Sequence, residues 1–234
     1  MLCFSDDGAL NEEMMYRMLD KAYQDGARLI CLTPHYHPGY YGKNHIKSRE
    51  AYVLLTEYAE KKYPDLGLAL GNELHYDKGC VSWLSEGDCR TLNGTKYVLI
   101  DFHQSESKKN IVDGIESLLR SGYVPILAHA ERYDEVRSDL NFFLKYKNSG
   151  MLIQVNAGSL FNRFGRKAGK AAKKLIKLKL ADFISSDAHG IDHRPPGMKK
   201  AFEYAQKKMG NDYADAICYS NAAELIFTQK YYHE

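Results

Sequence analysis

Several features are scarce in this 234-residue chain, and each scarcity closes off a class of function. The five cysteines (Cys3, Cys31, Cys80, Cys89 and Cys218) are scattered and form no C-x-x-C pair, which fits reduced thiols better than a disulfide framework. No cysteine is followed six positions later by an arginine, so the thiolate loop of a cysteine phosphatase is missing. Neither a GxxxxGK[ST] phosphate loop nor a GxSxG nucleophile elbow occurs. No apolar stretch approaches the roughly 20 residues that cross a bilayer. The opening residues, MLCFSDDGAL, lack the basic region and apolar core of a signal peptide. An excess of one charge is lacking too, since 32 basic and 30 acidic residues leave a formal net charge of +2. That balance gives no bulk attraction to nucleic acid. The expectation is a cytoplasmic protein, neither inserted in a membrane nor bound to nucleic acid, with self-assembly left open.

What is present alternates. The length suits one large domain spanning residues 1–234, and α/β barrels commonly fill that size. Helical spacing runs from Asn11, a plausible cap, to Gly26, then a strand is expected over Ala27 to Thr33 (ARLICLT). Tyr36 to Asn44 is a loop rich in glycine, tyrosine and histidine, and Ile46 to Tyr63 is helical. Further strands are expected at Leu66 to Leu70, Tyr97 to Ile100, Val124 to Ala128 and Met151 to Val155, and at the FISSDAHG stretch (183–190), whose apolar run Phe183-Ile184 stops at two serines. Between them lie helices at Ile111 to Ser121, Leu140 to Asn148 and Lys167 to Leu178, and Met198 to Met209 and Tyr213 to Phe227 end the chain as helices. Six strands alternating with helices imply parallel βαβ units. Polar residues at nearly every strand end favour a (β/α) barrel, whose chemistry sits on one rim, over an open doubly wound sheet.

The rim residues are Asp7, His35, Glu73, Asp101, His129, Asp187 and His189. A single buried histidine is usually a satisfied core residue, and a lone carboxylate could pair with Arg132 or Arg194. Four carboxylates and three histidines on one rim, however, would repel and desolvate one another without cations between them. Zinc, manganese or iron suits such mixed oxygen and nitrogen donors and can activate water. Arg132 and Arg194, each close in sequence to one of these histidines, point to a phosphoryl substrate, because a guanidinium grips phosphate with a bidentate fork. The loop tyrosines Tyr36, Tyr40 and Tyr41 either pack or wall a phosphoaryl group. The run RFGRKAGKAAKKLIKLK (163–179) reads as a solvated basic helix able to attract an acidic or phosphorylated segment.

TPH at 33–35, GNE at 71–73, LAHAERY at 127–133, QVNAGSLFNRFGRKA at 154–168 and SSDAHGIDHRPPGM at 185–198 carry a resemblance. They resemble the bacterial capsule-regulating protein-tyrosine phosphatases of the polymerase-and-histidinol-phosphatase superfamily, from Asp6 almost to the C-terminus. The resemblance implies a distorted (β/α)7-type barrel with two or three divalent ions, usually manganese, iron or zinc. It also implies hydrolysis of phosphotyrosine on the tail of a bacterial tyrosine autokinase that controls polysaccharide export. Glu73 would then bridge two metals, with Asp101 and His129 completing the second site. Asp7, His35 and His189 would hold the third, and Asp187 would serve the first. Arg132 and Arg194 would grip the phosphate and stabilise its transition state, with Tyr40 beside the substrate. The family opens on a strand ending in His-x-His, whereas this chain begins Met1-Leu2-Cys3-Phe4-Ser5. The first barrel strand is therefore expected to be largely missing, leaving an exposed edge and a first site of only Glu73 and Asp187. His37, His75 or His103 could substitute there. The alternatives are a small-molecule phosphomonoesterase and a non-catalytic phosphotyrosine-binding relic.

Overall fold

A computed structural model describes residues 1–41 and 44–228, without the side chains of residues 141–143. Two residues of the expected Tyr36-to-Asn44 loop, 42 and 43, lie outside the described residues. Helix α1 (Glu12–Gln24) begins where expected, with Asn11 as its cap accepting the Met14 N–H at 2.9 Å. Its apolar stripe, Met15, Met18, Leu19 and Ala22, is buried. Strand β1 (Leu29–Leu32) and the two-residue β2 (His35–Tyr36) follow, then α2 (His45–Lys62), β3 (Gly67–Leu70), β4 (Glu73–His75) and α3 (Cys80–Ser85). The chain continues through β5 (Tyr97–Asp101), α4 (Lys108–Arg120), β6 (Val124–Leu127), α5 (Asp134–Ser138), α6 (Leu140–Asn148) and β7 (Leu152–Asn156). Helix α7 (Gly165–Lys177), β8 (Phe183–Ser185), α8 (Lys199–Met209) and α9 (Asn211–Asp215) complete it.

Every strand pair is parallel, in the orders β1-β3 and β2-β4-β5-β6-β7-β8. Two corrections to the expected strands share one cause. Tyr36 belongs to a strand, not to the loop, and Glu73 to His75 form a strand of their own. Pro34 has no N–H to give, so the ladder breaks after Leu32 and resumes at His35. Across the break Gly71 donates to the Leu32 carbonyl at 2.9 Å and Glu73 to the Pro34 carbonyl at 3.1 Å. The expected helix from Tyr213 to Phe227 is also corrected: α9 gives way to two π turns, at Ala216–Ser220 and Ala223–Phe227.

The sheet curls into an open half-barrel. Among the described residues β8 pairs only with β7 and β1 only with β3. A cavity of about 670 Å³ lies between these two edges, lined by Leu29, Cys31, Phe183 and Ser185, with Met1 and Leu2 beside it. The largest buried cluster joins the strands to α4 and α7 through Ile100, Ile115, Leu118, Leu127, Ile153 and Leu175. A second cluster packs α1 and α2 with Leu2 and Cys3. Gly169 lets α7 lie against the turn after β7: a Cβ there would meet the Ser159 carbonyl at 2.9 Å.

Central β5 is buried along most of its length, and Ile100 is fully inaccessible. Ile100→Ala should therefore lower unfolding stability by about 2–5 kcal/mol, from lost transfer energy plus a cavity. A urea midpoint unchanged by that substitution would mean that β5 does not anchor the core.

Candidate active site

Parallel register sets the site. His35 lies opposite Glu73 across β2 and β4, and His75 lies opposite Asp101 across β4 and β5. His129 follows the end of β6, and Asp187 and His189 follow β8. All seven ligand-type residues expected from the sequence meet at the C-terminal rim, in two groups of three plus Asp187.

The first group is Glu73, Asp101 and His129. His129 Nε2 stands 2.9 Å from Glu73 Oε1 and 3.3 Å from Asp101 Oδ1. Asp101 is held on both oxygens: Tyr133 Oη donates to Oδ1 at 2.8 Å and His75 Nδ1 lies 3.0 Å from Oδ2. The second group is Asp7, His35 and His189. The two imidazole Nε2 atoms face each other at 3.4 Å, and both approach Asp7 Oδ1, at 3.6 Å from His35 and 3.5 Å from His189. His189 Nδ1 donates to its neighbour's carbonyl, Asp187 O, at 3.0 Å, which leaves the Nε2 lone pair aimed into the group. His35 Nδ1 is 4.0 Å from Glu73 Oε1, so the groups adjoin through Glu73.

Asp187 is differently placed. Arg194 contacts its Oδ2 directly, Arg132 reaches it at 3.8 Å, and Asn156 Nδ2 donates to it at 2.6 Å. Both arginines also lie over the Phe164 ring, with guanidinium carbons 5.1 and 5.7 Å from its centroid. The Nε–H of each is buried without a partner. Two orphaned cationic donors side by side are costly unless an anion accepts from them, and a phosphate would satisfy both. Of the tyrosines, Tyr36 is buried in the core, Tyr41 stacks on His35 at 5.2 Å, and Tyr40 is 75% exposed with its ring 6.0 Å from His75. His37 packs against Tyr40 and His75, while His103 is exposed and bonds Ser105, away from the donor groups.

Burial opposes charge on the His129 imidazole, but the Asp101 and Glu73 carboxylates outweigh it and push its pKa up to about 9. Burial likewise works against ionised Asp101, yet His129, His75 and Tyr133 bring it down to about 2. Burial lowers His189, keeping it neutral. The Cys80 thiol is pushed up to about 12 by burial, so it is no nucleophile at neutral pH. The donor set fits divalent cations. It mixes carboxylate oxygen with imidazole nitrogen, brings the Nε2 atoms of His35 and His189 together, and leaves buried His129 Nδ1 unpaired, as in a site short of its full complement of partners. Sequence reasoning assigns no role to Tyr133, Asn156 or Phe164 and offers His75 only as a substitute ligand. Tyr133 does sit next to Arg132, at the end of LAHAERY, and Asn156 is the last residue of β7.

The chain belongs to the capsular polysaccharide synthesis family CpsB/CapC, whose profile matches residues 1–227. It is 29% identical over 229 residues to the tyrosine-protein phosphatase CpsB of Streptococcus pneumoniae, covering 96% of this chain and 94% of that protein. It is 28% identical over 207 residues to the tyrosine-protein phosphatase YwqE of Bacillus subtilis, covering 88% and 82% of the two chains. Among solved structures, one from the work on YwqE and CpsB, described as unique metal-dependent tyrosine phosphatases, superposes with a TM-score of 0.86. That match has 27% identity and covers 97% of this chain and 92% of the other.

The His129 shift fixes a pH dependence. A histidine raised to about 9 in the folded protein, from 6.5, stabilises fully below pH 6.5 and loses that contribution as pH rises through 9. Metal-stripped protein should therefore melt progressively lower over that window, and His129→Gln should flatten the slope. Divalent metal replaces the proton, so metal-loaded protein should lack the slope. An identical pH profile in wild type and H129Q would contradict the assigned geometry.

Proposed function

We propose that this protein is a metal-dependent phosphatase that hydrolyses phosphotyrosine in a protein substrate. The observation that carries this reading is two three-residue donor groups adjoining at Glu73 beside two arginines with unpaired buried N–H groups. The family's role in capsular polysaccharide synthesis and its relatives' activity support phosphotyrosine over other phosphoesters. In that setting the substrate is the phosphotyrosine-bearing tail of a bacterial tyrosine kinase that controls polysaccharide export, met in the cytoplasm.

Glu73, Asp101 and His129 would hold one divalent ion, and Asp7, His35 and His189 another; manganese, iron and zinc all suit these donors. Asp187 is engaged by Arg132, Arg194 and Asn156, which favours two ions over three. Bound divalent ions supply Lewis acidity, bringing water into its nucleophilic form near neutral pH and offsetting charge on the phosphoryl oxygens. The chain's own groups do the rest. Tyr133 and His75 fix the rotamer of Asp101. Arg132 and Arg194, steadied from below by Asp187 and from above by Phe164, present their free Nε–H groups to the equatorial oxygens of the phosphoryl group. Tyr40, exposed beside His75, offers a face to the phosphotyrosine ring. The bond broken is P–O to the tyrosine, whose phenolate leaves readily enough that no strongly acidic side chain is needed.

Purified protein should hydrolyse p-nitrophenyl phosphate and a phosphotyrosine peptide with added manganese, and chelation should abolish both activities. Arg194→Ala should lower kcat/KM by about 100-fold, the usual scale for removing one transition-state donor. Metal binding without turnover of either substrate would favour a non-catalytic phosphotyrosine-binding protein. Turnover of sugar or histidinol phosphates far above that of phosphopeptide would favour a small-molecule phosphomonoesterase.

A further inference from the structure

The basic run after β7 is untouched by the chemistry above, yet it starts at the phosphate arginines. Phe164, lying over both guanidinium groups, is the residue immediately before α7. Ala168, Ala171, Ala172, Leu175 and Ile176 face the core, which turns the opposite face outward. That face is Arg163, Arg166, Lys167, Lys170, Lys174 and Lys177, all exposed and, apart from the adjacent pair Arg166-Lys167, spaced by three or four residues. They form one stripe leading away from the catalytic rim. From Arg166 to Lys177 it runs about 16 Å at 1.5 Å per residue.

Among the described residues no carboxylate answers these charges: none of the six forms an ion pair, and α7 contains no acidic residue. Exposed α4 is built differently: Lys109 pairs with Asp113 and Arg120 with Glu116 on the same helix. Asp182, just beyond α7, is taken by Lys147. Like charges one turn apart, as at Arg166, Lys170 and Lys174, destabilise a helix. The chain thus carries local repulsion on one face, beside the site, in a molecule whose total charge is nearly balanced.

We infer that this stripe docks an acidic stretch of the substrate polypeptide flanking the phosphotyrosine. This rests on the phosphotyrosine reading and deepens it by naming a substrate class. An extended peptide advances about 3.4 Å per residue, so the stripe spans about five residues of flank. Fixed cations along that path raise the encounter rate with an acidic flank and hold it by screened attraction. The cavity between β1 and β8 reaches Glu73, Asp187 and His189, but no residue of α7 lines it, so it has no part in this.

The test compares wild type with R166E/K170E/K174E, substitutions on an exposed face outside the catalytic rim. Substrates are p-nitrophenyl phosphate and three fluorescent phosphotyrosine peptides, with glutamates on the N-terminal side, on the C-terminal side, or on neither. At low salt one acidic peptide should exceed the neutral one in kcat/KM by about tenfold, and high salt should erase the gap. The triple variant should lose the preference and keep p-nitrophenyl phosphate turnover within about twofold of wild type, the spread expected of surface substitutions. Equal kcat/KM for all three peptides in wild type overturns the docking inference, as does equal loss of p-nitrophenyl phosphate turnover in the variant. If nothing is hydrolysed, the phosphatase reading fails, and fluorescence anisotropy of the same peptides decides docking by itself. Binding of the acidic peptide that the variant loses then supports the stripe, and equal binding of all three overturns it. Tighter binding of a single-stranded RNA than of the acidic peptide also overturns it.

Discussion

Negative charge concentrated where water is scarce is the constraint that orders this molecule. Glu73, Asp101 and Asp187 come together within the reach of a few side chains, with Glu73 buried. Ionised carboxylates in such a space are tolerable only if each has a positive or hydrogen-bonding partner. The structure provides one for each: His129 for Glu73, His75 and Tyr133 for Asp101, two arginines and Asn156 for Asp187. The division matters chemically. Carboxylates balanced by imidazoles can exchange a proton for a metal ion, whereas one balanced by guanidinium groups cannot, because arginine does not deprotonate. The site is thereby partitioned into a part whose counter-charge can leave and a part whose counter-charge is permanent.

Most of the fold was legible because each βα unit announces itself twice. A short apolar run ends in a polar residue, and a helical period follows, closed by glycine or capped by asparagine or serine. Asn11 and Ser107 cap their helices through side-chain oxygens, and α6 spans the expected Leu140 to Asn148. The failures came where the period was too short to register. A two-residue β2 carries no alternation, and β4 has three residues. Their pairing is dictated from across the sheet, by carbonyls of Leu32 and Pro34 accepting from Gly71 and Glu73. The π turns after α9 likewise follow from packing on the sheet, where Ile217 and Ile226 are buried, and not from any local signal.

The donor residues were legible for a related reason: in a parallel barrel, strand ends face one rim, so a list of strand ends is a list of neighbours. Their partners were not. Tyr133 reaches Asp101 across 32 positions and Asn156 reaches Asp187 across 31. Each is an ordinary polar residue whose role exists only once β5, β6, β7 and β8 are side by side. The pairing of Asp187 with arginine had the same obscurity. In sequence it reads as one more ligand-type carboxylate; in space it is the base on which both Arg132 and Arg194 rest.

Three of these residues share a backbone signature that sequence gives no hint of. His129, Asp187 and Arg194 have φ of 33°, 49° and 53°, in the left-handed region that L-residues occupy at a cost of about 1–3 kcal/mol each. Such a cost persists only where the surroundings over-determine the conformation. For Arg194 the surroundings are visible: its carbonyl accepts the His189 N–H at 3.0 Å, closing the 189–194 loop, and Pro195-Pro196 stiffen the exit. A strand simply continued past β6 or β8 would carry the following side chains up and away from the rim. A left-handed residue turns the chain sharply, so that His129 lies between Glu73 and Asp101, and Arg194 reaches back to Asp187. The strain is stored in the folded chain before any ligand arrives. Its geometry is therefore paid for by packing of the surrounding core, and any ligand that binds there has less disorder left to remove.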